Sequence, residues 1–351
     1  MVTPNPRQHN IIAILLEKNF VRSSDIHTEL LRRGDRVSLV TVKRALSEMA
    51  SRGTVRTSGA GRTTAYAATA KGRLFANIDA KNYCAVEPDK RFGARHYNFE
   101  LFEAIEPGIF SADEQERLAT STAAYRARTK NLPPAVQEKE TERFIIELSW
   151  KSSKIEGNTY SLLDTEKLIV RGVEAPGHDK NEARMILNHK EAFKFVQEHA
   201  AHYAELTKAN MEEIHKILVH HMNVRTGVRA APVGVTGSTY TPLNNPHQIA
   251  EAVAALARAS ARLATPYEKA LAALLGISYV QPFEDGNKRT ARMMANAILL
   301  AHACAPLSYR NVDESEYREA MFVFYEVNSL VPFKKIFVNQ YEFAAANYAV
   351  A

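Results

Sequence analysis

Two short stretches of this chain gather residue types suited to polyphosphate chemistry. The first reads Gln281-Pro282-Phe283-Glu284-Asp285-Gly286-Asn287-Lys288-Arg289-Thr290-Ala291-Arg292. The almost wholly apolar run Ala270–Val280 ahead of it predicts a buried helix, and a new helix is expected to start near Lys288. The first N–H groups of that helix have no partner within it, and its dipole favours negative charge at that end. Gly286 lets a ligand come close to the backbone. Arg289 and Arg292 stand three apart, so their guanidiniums lean over one helix face. Two guanidiniums and a set of free backbone donors make a cradle for a string of phosphates. Asp285, just ahead of the cradle, is the oxygen ligand that Mg²⁺ takes when it bridges phosphates. The plainer alternative is a helix-capping salt-bridge cluster of Asp285 and the arginines. The second stretch is Ser152-Ser153-Lys154-Ile155-Glu156-Gly157-Asn158. Ser152 and Glu156 are four apart and share a helix face; taken alone, the pattern reads as a capped surface helix.

Residues 281–292 resemble the signature of the Fic (Fido) family, His-x-Phe-x-Asp/Glu-Gly-Asn-Gly/Lys-Arg-x-x-Arg, at every position but the first. The family is an α-helical fold that typically transfers AMP from ATP to a hydroxyl side chain of a target protein. The resemblance implies a nucleotide-binding set of Phe283, Gly286, Asn287, Lys288, Arg289 and Arg292. In it Phe283 anchors the loop in the core, Gly286 and Asn287 bind phosphates, and the arginines clamp them. It also implies a catalytic and Mg²⁺-holding role for Asp285. The likeness extends over residues 97–345. The segment from Gly227-Val228-Arg229 to Thr241-Pro242 is similar to the family's flap, which positions a target strand by edge pairing. Val233, Val235, Gly237, Ser238 and Tyr240 are its candidate target-facing residues. Glu182 to Ala192, with Asn188-His189-Lys190-Glu191, also looks like the family. The Ser152–Asn158 stretch resembles the inhibitory Ser/Thr-x-x-x-Glu-Gly/Asn pattern. Ser152, Glu156 and Gly157 would form it, Glu156 pairing with Arg292 and blocking the productive γ-phosphate pose.

At the family's first motif position, normally a histidine acting as general base, this chain has Gln281. A carboxamide is neutral and takes up no proton usefully, whereas imidazole titrates near neutrality. Loss of a general base costs roughly 10²–10⁴ in rate. Phosphoryl-type chemistry rests largely on positioning and charge stabilisation, which leaves room for slow turnover. His215, His220 and His221, on or beside a helix before the flap, read as structural. Two readings follow. One is an adenylyltransferase restrained by Glu156 and weakened at Gln281, acting on an unknown target hydroxyl or on itself. The other is an ATP-binding Fic-like module coupled to a DNA-binding regulator.

The elements that must hold these residues are mostly helical. Periodicity predicts helices over Ala112–Thr129, Gln137–Ser153, Asp164–Val170, Asn181–Ala200, Lys208–His221, Pro246–Ala264, Pro266–Val280, Arg289–Ala303 and Glu314–Val327. Between His221 and Pro246 glycines and prolines alternate with valines and Tyr240, which predicts an irregular hairpin. The expected class is mainly α: a Fic-type core with a small β-hairpin flap, plus an N-terminal α+β domain. The inhibitory helix is placed around 145–158.

Charge singles out the N-terminal fifth. Residues 1–75 hold 13 Lys+Arg and 5 Asp+Glu, a net of +8, although the whole chain nets only +6. Such asymmetry points to an anionic partner, nucleic acid before membrane, over the bland reading of a solvated basic face. Helical spacing at Ile11, Ile12, Leu15 and Leu16, then Ile26–Arg33, then Leu39–Ser51, is followed by period-two residues Val55 to Ala67. Three helices and a hairpin resemble a winged helix-turn-helix. The third helix would then present Thr41, Lys43, Arg44 and Ser47 to a major groove, with Arg56 and Arg62 reaching phosphates. Protein docking is the other use of such a module. The expected divisions are 1–75 for the head, 76–96 for a connector and 97–351 for the body.

At 351 residues, 46% hydrophobic and 24% charged, the composition is that of a globular protein and excludes disordered, collagen-like and disulfide-scaffold classes. The short apolar run Ile11–Leu16 meets Glu17 and Lys18, so no secretory leader is expected, and no run approaches the ~20 apolar residues that span a bilayer. Only Cys84 and Cys304 occur, far apart, which fits a reducing cytoplasm. A homo-oligomer is a further possibility.

Overall fold

The computed structural model describes residues 5–350; the outermost residues of the expected divisions 1–75 and 97–351 lie outside the described ones. The chain is mainly α, as expected, with sixteen α-helices and three short strands among the described residues. It divides into two compact units, each assembled from separated segments.

The first unit takes residues up to 109 together with Gly234–Thr241 and Ser315–Lys335. It begins with α1 (Pro6–Glu17), β1 (Val21–Arg22), α2 (Ser23–Arg32) and α3 (Leu39–Ser51). Strands β2 (Val55–Ser58) and β3 (Ala65–Ala68) follow. Asn5 caps α1 through a reciprocal bond with Gln8, and the Ser38 hydroxyl caps α3 at Thr41 N–H. The sheet order is β1-β3-β2, both pairs antiparallel, so β2 and β3 form the expected hairpin and β1 adds an edge that period-two reading misses. A two-residue strand is too short to show alternation. Next come α4 (Ala70–Leu74), α5 (Ala80–Cys84) and α6 (Leu101–Ala104). The core joins Ile11, Ile14, Ile26, Leu30, Val42 and Leu46 of the helices to Ala76, Ile78 and Tyr83 beyond them. Val323 and Val327, from α15 (Glu314–Val327), complete it.

The compact units therefore cut across the linear boundaries at 75 and 96. Residues 76–96 are packed into the head's own core. Glu326 holds this part together. Its buried carboxylate accepts from Arg91 Nη1 at 3.1 Å, from the Tyr83 hydroxyl at 2.7 Å and from the Ser238 hydroxyl at 2.6 Å. Its backbone carbonyl accepts from Ala94 N–H at 2.7 Å. Gly93 lies so close to that carbonyl that a Cβ would sit 2.5 Å from the oxygen, which requires glycine there.

The flap differs from the expected hairpin. Among the described residues its two arms form no ladder with each other. An isolated bridge at its C-terminal end runs from Thr241 to His96 in parallel, with Thr241 N–H donating to Arg95 C=O at 2.7 Å. The physical reason is local: Gly234, Gly237 and Pro242 interrupt regular pairing, and Ser238 N–H turns back to Val235 C=O. Val235 and Tyr240 are buried, Tyr240 stacked on Tyr325 at 5.7 Å between ring centroids, so neither presents its side chain outward.

The second unit carries the motif. It holds α7 (Ala112–Thr129), α8 (Pro134–Ile155), α9 (Leu162–Arg171), α10 (Lys180–Glu198) and α11 (Lys208–Leu218). Then come α12 (Pro246–Arg262), α13 (Pro266–Val280) and α14 (Asn287–Ala301). The helix α16 (Val331–Asn347) was not read from the sequence; its apolar residues go nearly all round and give no clean stripe. Helices α13 and α14 are the centre of the unit, buried along almost their whole lengths. Among the described residues no helix is long and apolar enough to cross a membrane.

Arg91 and Glu326 are nearly inaccessible, so removing one charge strands the other. Arg91→Ala is expected to lower unfolding free energy by about 3–5 kcal/mol in denaturant titration; a loss below about 1 kcal/mol is the result that contradicts this account.

Candidate functional site

The site is the turn from α13 to α14. Helix α13 ends in Gln281, held at φ 51°, ψ 58° in the left-handed region, and α14 starts after Gly286, also left-handed at φ 76°. Two left-handed residues reverse the chain within five positions. A Cβ at Gly286 would crowd Val219 Cγ1 at 3.1 Å, and its left-handed backbone favours glycine. Asn287 braces the turn. Its Oδ1 accepts from Phe283 N–H and its Nδ2 donates to Phe283 C=O, both at 2.8 Å. The Asn287 side chain is thus spent inside the loop, so the expected contact with a phosphate would fall to its backbone N–H at the start of α14. Phe283 is fully buried and stacks on His215 at 3.7 Å with 9° between the rings. Its ring is fully enclosed and has no exposed face for a nucleotide.

His215 is structural in the way its helical position suggested. Its Nε2 lies 3.0 Å from the Asp285 carbonyl, so that nitrogen carries the proton. Burial pushes its pKa down to about 4. Gln281 is buried, and its Nε2 donates to Ser278 C=O at 2.6 Å. Its carbonyl accepts from Arg229 Nε at 2.7 Å. Arg229 also donates to Ala231 C=O at 2.8 Å and to Leu243 C=O, tying both roots of the flap to the turn. Of the expected target-facing residues, Val233 lies in this unit, while Val235, Gly237, Ser238 and Tyr240 lie in the other.

The charged residues of the turn are already engaged. Arg289 Nη2 donates to Asp285 Oδ2 at 2.7 Å, and Arg289 Nη1 to Leu218 C=O at 3.4 Å. The Asp285 side chain is 63% exposed. Among the described residues no cluster of three or more His, Cys, Asp or Glu could hold an ion unaided. One exposed carboxylate suits Mg²⁺ when phosphates supply the other oxygens. Glu156, at the C-terminal cap of α8, accepts from Arg292 Nη1 at 2.8 Å and from Lys288 Nζ at 3.3 Å. Burial by itself raises a carboxyl pKa, yet the cations Arg292 and Lys288 outweigh it and hold Glu156 at about 2. Ser152, one turn earlier, accepts from Arg292 Nε at 2.8 Å. The expected inhibitory pair and the second arginine of the turn are brought together, and Lys288 joins them.

The basic head shows a second pattern. Four of its five acidic residues are tied up: Asp35 with Arg7, Glu29 with Lys18, Arg32 and Arg33, Glu17 with Arg33, and Glu48 with Arg52. Arg36, Lys43, Arg44 and Arg62 are exposed and lie at α3, the turn before it and the hairpin. Thr41 and Ser47 are exposed on the same helix, and Val40 is 76% exposed beside them. Arg56 lies over the Phe20 ring at 5.4 Å.

The Fic/DOC family model matches residues 205–299. That match takes in the α13–α14 turn. A protein adenylyltransferase Fic from Nematostella vectensis is 29% identical over 175 residues, 48% of this chain and 41% of that protein. The protein adenylyltransferase fic-1 of Caenorhabditis elegans is 25% identical over 199 residues, 55% of this chain and 39% of its own. This chain thus spans about 40% of the length of these curated relatives. The solved C. elegans Fic-1 fragment superposes with a TM-score of 0.54 at 20% identity, covering 68% of this chain and 71% of that one. A Fic domain containing signaling protein from Bacteroides thetaiotaomicron gives 0.54 at 19%, covering 66% and 94%. The likeness to the solved structures establishes the fold.

The titrating groups give the site a pH dependence. His189, on α10, is depressed to about 3 by burial, and His215 to about 4, both below the ordinary 6.5. A histidine neutral in the fold contributes stability above pH 6.5 that is lost as pH falls toward its folded value. The unfolding free energy from denaturant titration is expected to fall between pH 7 and pH 5, by on the order of 1–2 kcal/mol per histidine. A flat profile over that range contradicts the burial of neutral rings.

Proposed function

We propose that this protein is a Fic-type adenylyltransferase that moves AMP from ATP to a target-protein hydroxyl and is held back by Glu156. The observation that carries the reading is Glu156 seated 2.8 Å from Arg292 across the α13–α14 turn, with Lys288 on its other oxygen. A carboxylate there occupies cations that a polyphosphate would otherwise engage. The cradle consists of the α14 N-terminus behind Gly286, with Lys288, Arg289 and Arg292 as donors. Asp285 would hold Mg²⁺, which would supply positive charge to offset that of the phosphates. In the transfer, the target oxygen bonds to the α-phosphorus, the bond to the leaving phosphate oxygen breaks, and pyrophosphate departs. The hydroxyl proton then needs an acceptor. Gln281 supplies none and is bonded to Ser278 C=O, so the proton must leave to water and turnover is slow.

A second reading shares the pocket. The free cations of α3 and the hairpin favour DNA as partner of the head, whose helices and three-stranded sheet have the order of a winged helix. In this reading ATP occupancy regulates DNA binding and Gln281 abolishes transfer.

Incubation with ATP labelled at the α-phosphate and Mg²⁺ separates the two. Glu156→Gly is expected to label protein weakly, and Glu156→Gly with Gln281→His to label roughly 10²–10⁴ faster. Label appearing only with the histidine supports the binding module; no label with either variant removes the transferase. For the head, DNA affinity in gel shifts is expected to fall steeply with salt, and Arg44→Ala to lower the log–log slope by about 1. Salt-insensitive or absent binding counts against DNA.

A further inference from the structure

The Glu156–Arg292 contact is buttressed by a buried chain of bonds that ends on α10. Arg292 has fixed donors only. Its Nε–H points at Ser152 Oγ at 2.8 Å and its Nη2 donates to Ser152 C=O at 2.9 Å. With Ser152 Oγ accepting from arginine, its own proton needs an acceptor, and His189 Nε2 stands 2.8 Å away. The tautomer follows from the other ring nitrogen, because His189 Nδ1 faces the Met185 carbonyl at 2.8 Å and must donate to it. Nε2 therefore carries a lone pair. The chain runs from Arg292 Nε–H to Ser152 Oγ, and from Ser152 O–H to His189 Nε2. Ser152, His189 and Arg292 are all about 1% exposed, so water does not substitute for any member.

Helix α10 braces the same segment a second time. Glu182, seven residues before His189 and on the same helix face, accepts from Thr159 N–H at 2.6 Å through Oε1. Its backbone carbonyl accepts from Asn158 Nδ2 at 2.9 Å. The end of α8 and the turn after Glu156 are thus fixed from α10 on either side of the glutamate. Gly157, left-handed at φ 97° with open space at its Cβ position, contributes no packing of its own.

We propose that His189 is a positioning residue for the block: by accepting the Ser152 O–H it orients the serine oxygen toward Arg292 and so locks that guanidinium onto Glu156. The inference rests on the reading of Glu156 as an obstacle to nucleotide. A ring without an acceptor at 189 leaves the Ser152 hydroxyl to seek another partner, and the lone pair facing Arg292 Nε is lost. The contact with Glu156 then loosens and nucleotide competes better for Arg292.

Titration calorimetry of the full chain with Mg·ATP tests this. Glu156→Gly is the control and is expected to tighten binding. His189→Phe, which keeps a planar ring, is expected to tighten binding about three- to ten-fold, the size of one buried hydrogen bond. It should add nothing further in the Glu156→Gly background, which a merely structural role would not give. His189→Gln, which restores an acceptor, should bring affinity back toward that of the parent. If His189→Phe does not fold, Ser152→Ala takes its place, with the same expected gain and the same lack of effect beside Glu156→Gly. Tightening by Glu156→Gly but not by His189→Phe or Ser152→Ala overturns the role of His189. An equal change in both backgrounds overturns it too. No tightening by Glu156→Gly sinks the obstacle itself, and this inference with it.

Discussion

The ion pair between Glu156 and Arg292 is the constraint around which the second unit is arranged. Arg292 is almost fully enclosed, and a guanidinium in such a place demands a counter-charge and partners for its remaining donors. Glu156 provides the first, and the oxygens of Ser152 provide the second. This fixes where the end of α8 must lie relative to the first turn of α14. It also explains why Glu156 is kept ionised despite burial: three cations, Arg292, Lys288 and Arg289, act on one carboxylate. The pair is not a large net source of stability, since desolvation offsets much of its attraction. Its consequence is specificity of position.

The turn itself separates two properties that a catalytic loop normally combines. Its shape depends on left-handed backbone at 281 and 286, on the Asn287 brace and on Phe283 stacked against His215. None of these needs an imidazole at 281. Glutamine takes up the left-handed cap itself and donates to Ser278 C=O. What it removes is proton affinity. In the proposed transferase, phosphate binding and proton transfer would therefore be set by different atoms of one turn, and a change at 281 would touch only the second.

Much of the body was legible because its helices carry strong local signals. Ala112–Thr129 and Glu314–Val327 fall where periodicity places them, and Pro246 and Pro266 open their helices as N-terminal prolines do. The motif turn was legible because glycine, asparagine and arginine at fixed spacing leave few alternatives. The rest depended on contacts between distant segments. Nothing near His189 in sequence says that its acceptor faces Ser152, and nothing near Asn287 says that its amide closes the loop rather than a ligand site. The flap misled for a related reason: alternation of valine with glycine suggests two paired arms, whereas the pairing partner of Thr241 is His96, far away in the chain.

The same long-range logic decides the first unit. Its basic helices would be a separate head if their core were closed by their own residues, but Val323 and Val327 of α15 complete it. One turn of that helix then serves two environments. Val327 faces the apolar core, while Glu326, next in sequence, turns its carboxylate to Arg91, Tyr83 and Ser238. Adjacent helical residues point about 100° apart, so a shift of α15 that relieves one contact must disturb the other. The tip of the flap and the helices that carry the exposed cations are thereby built on a common support.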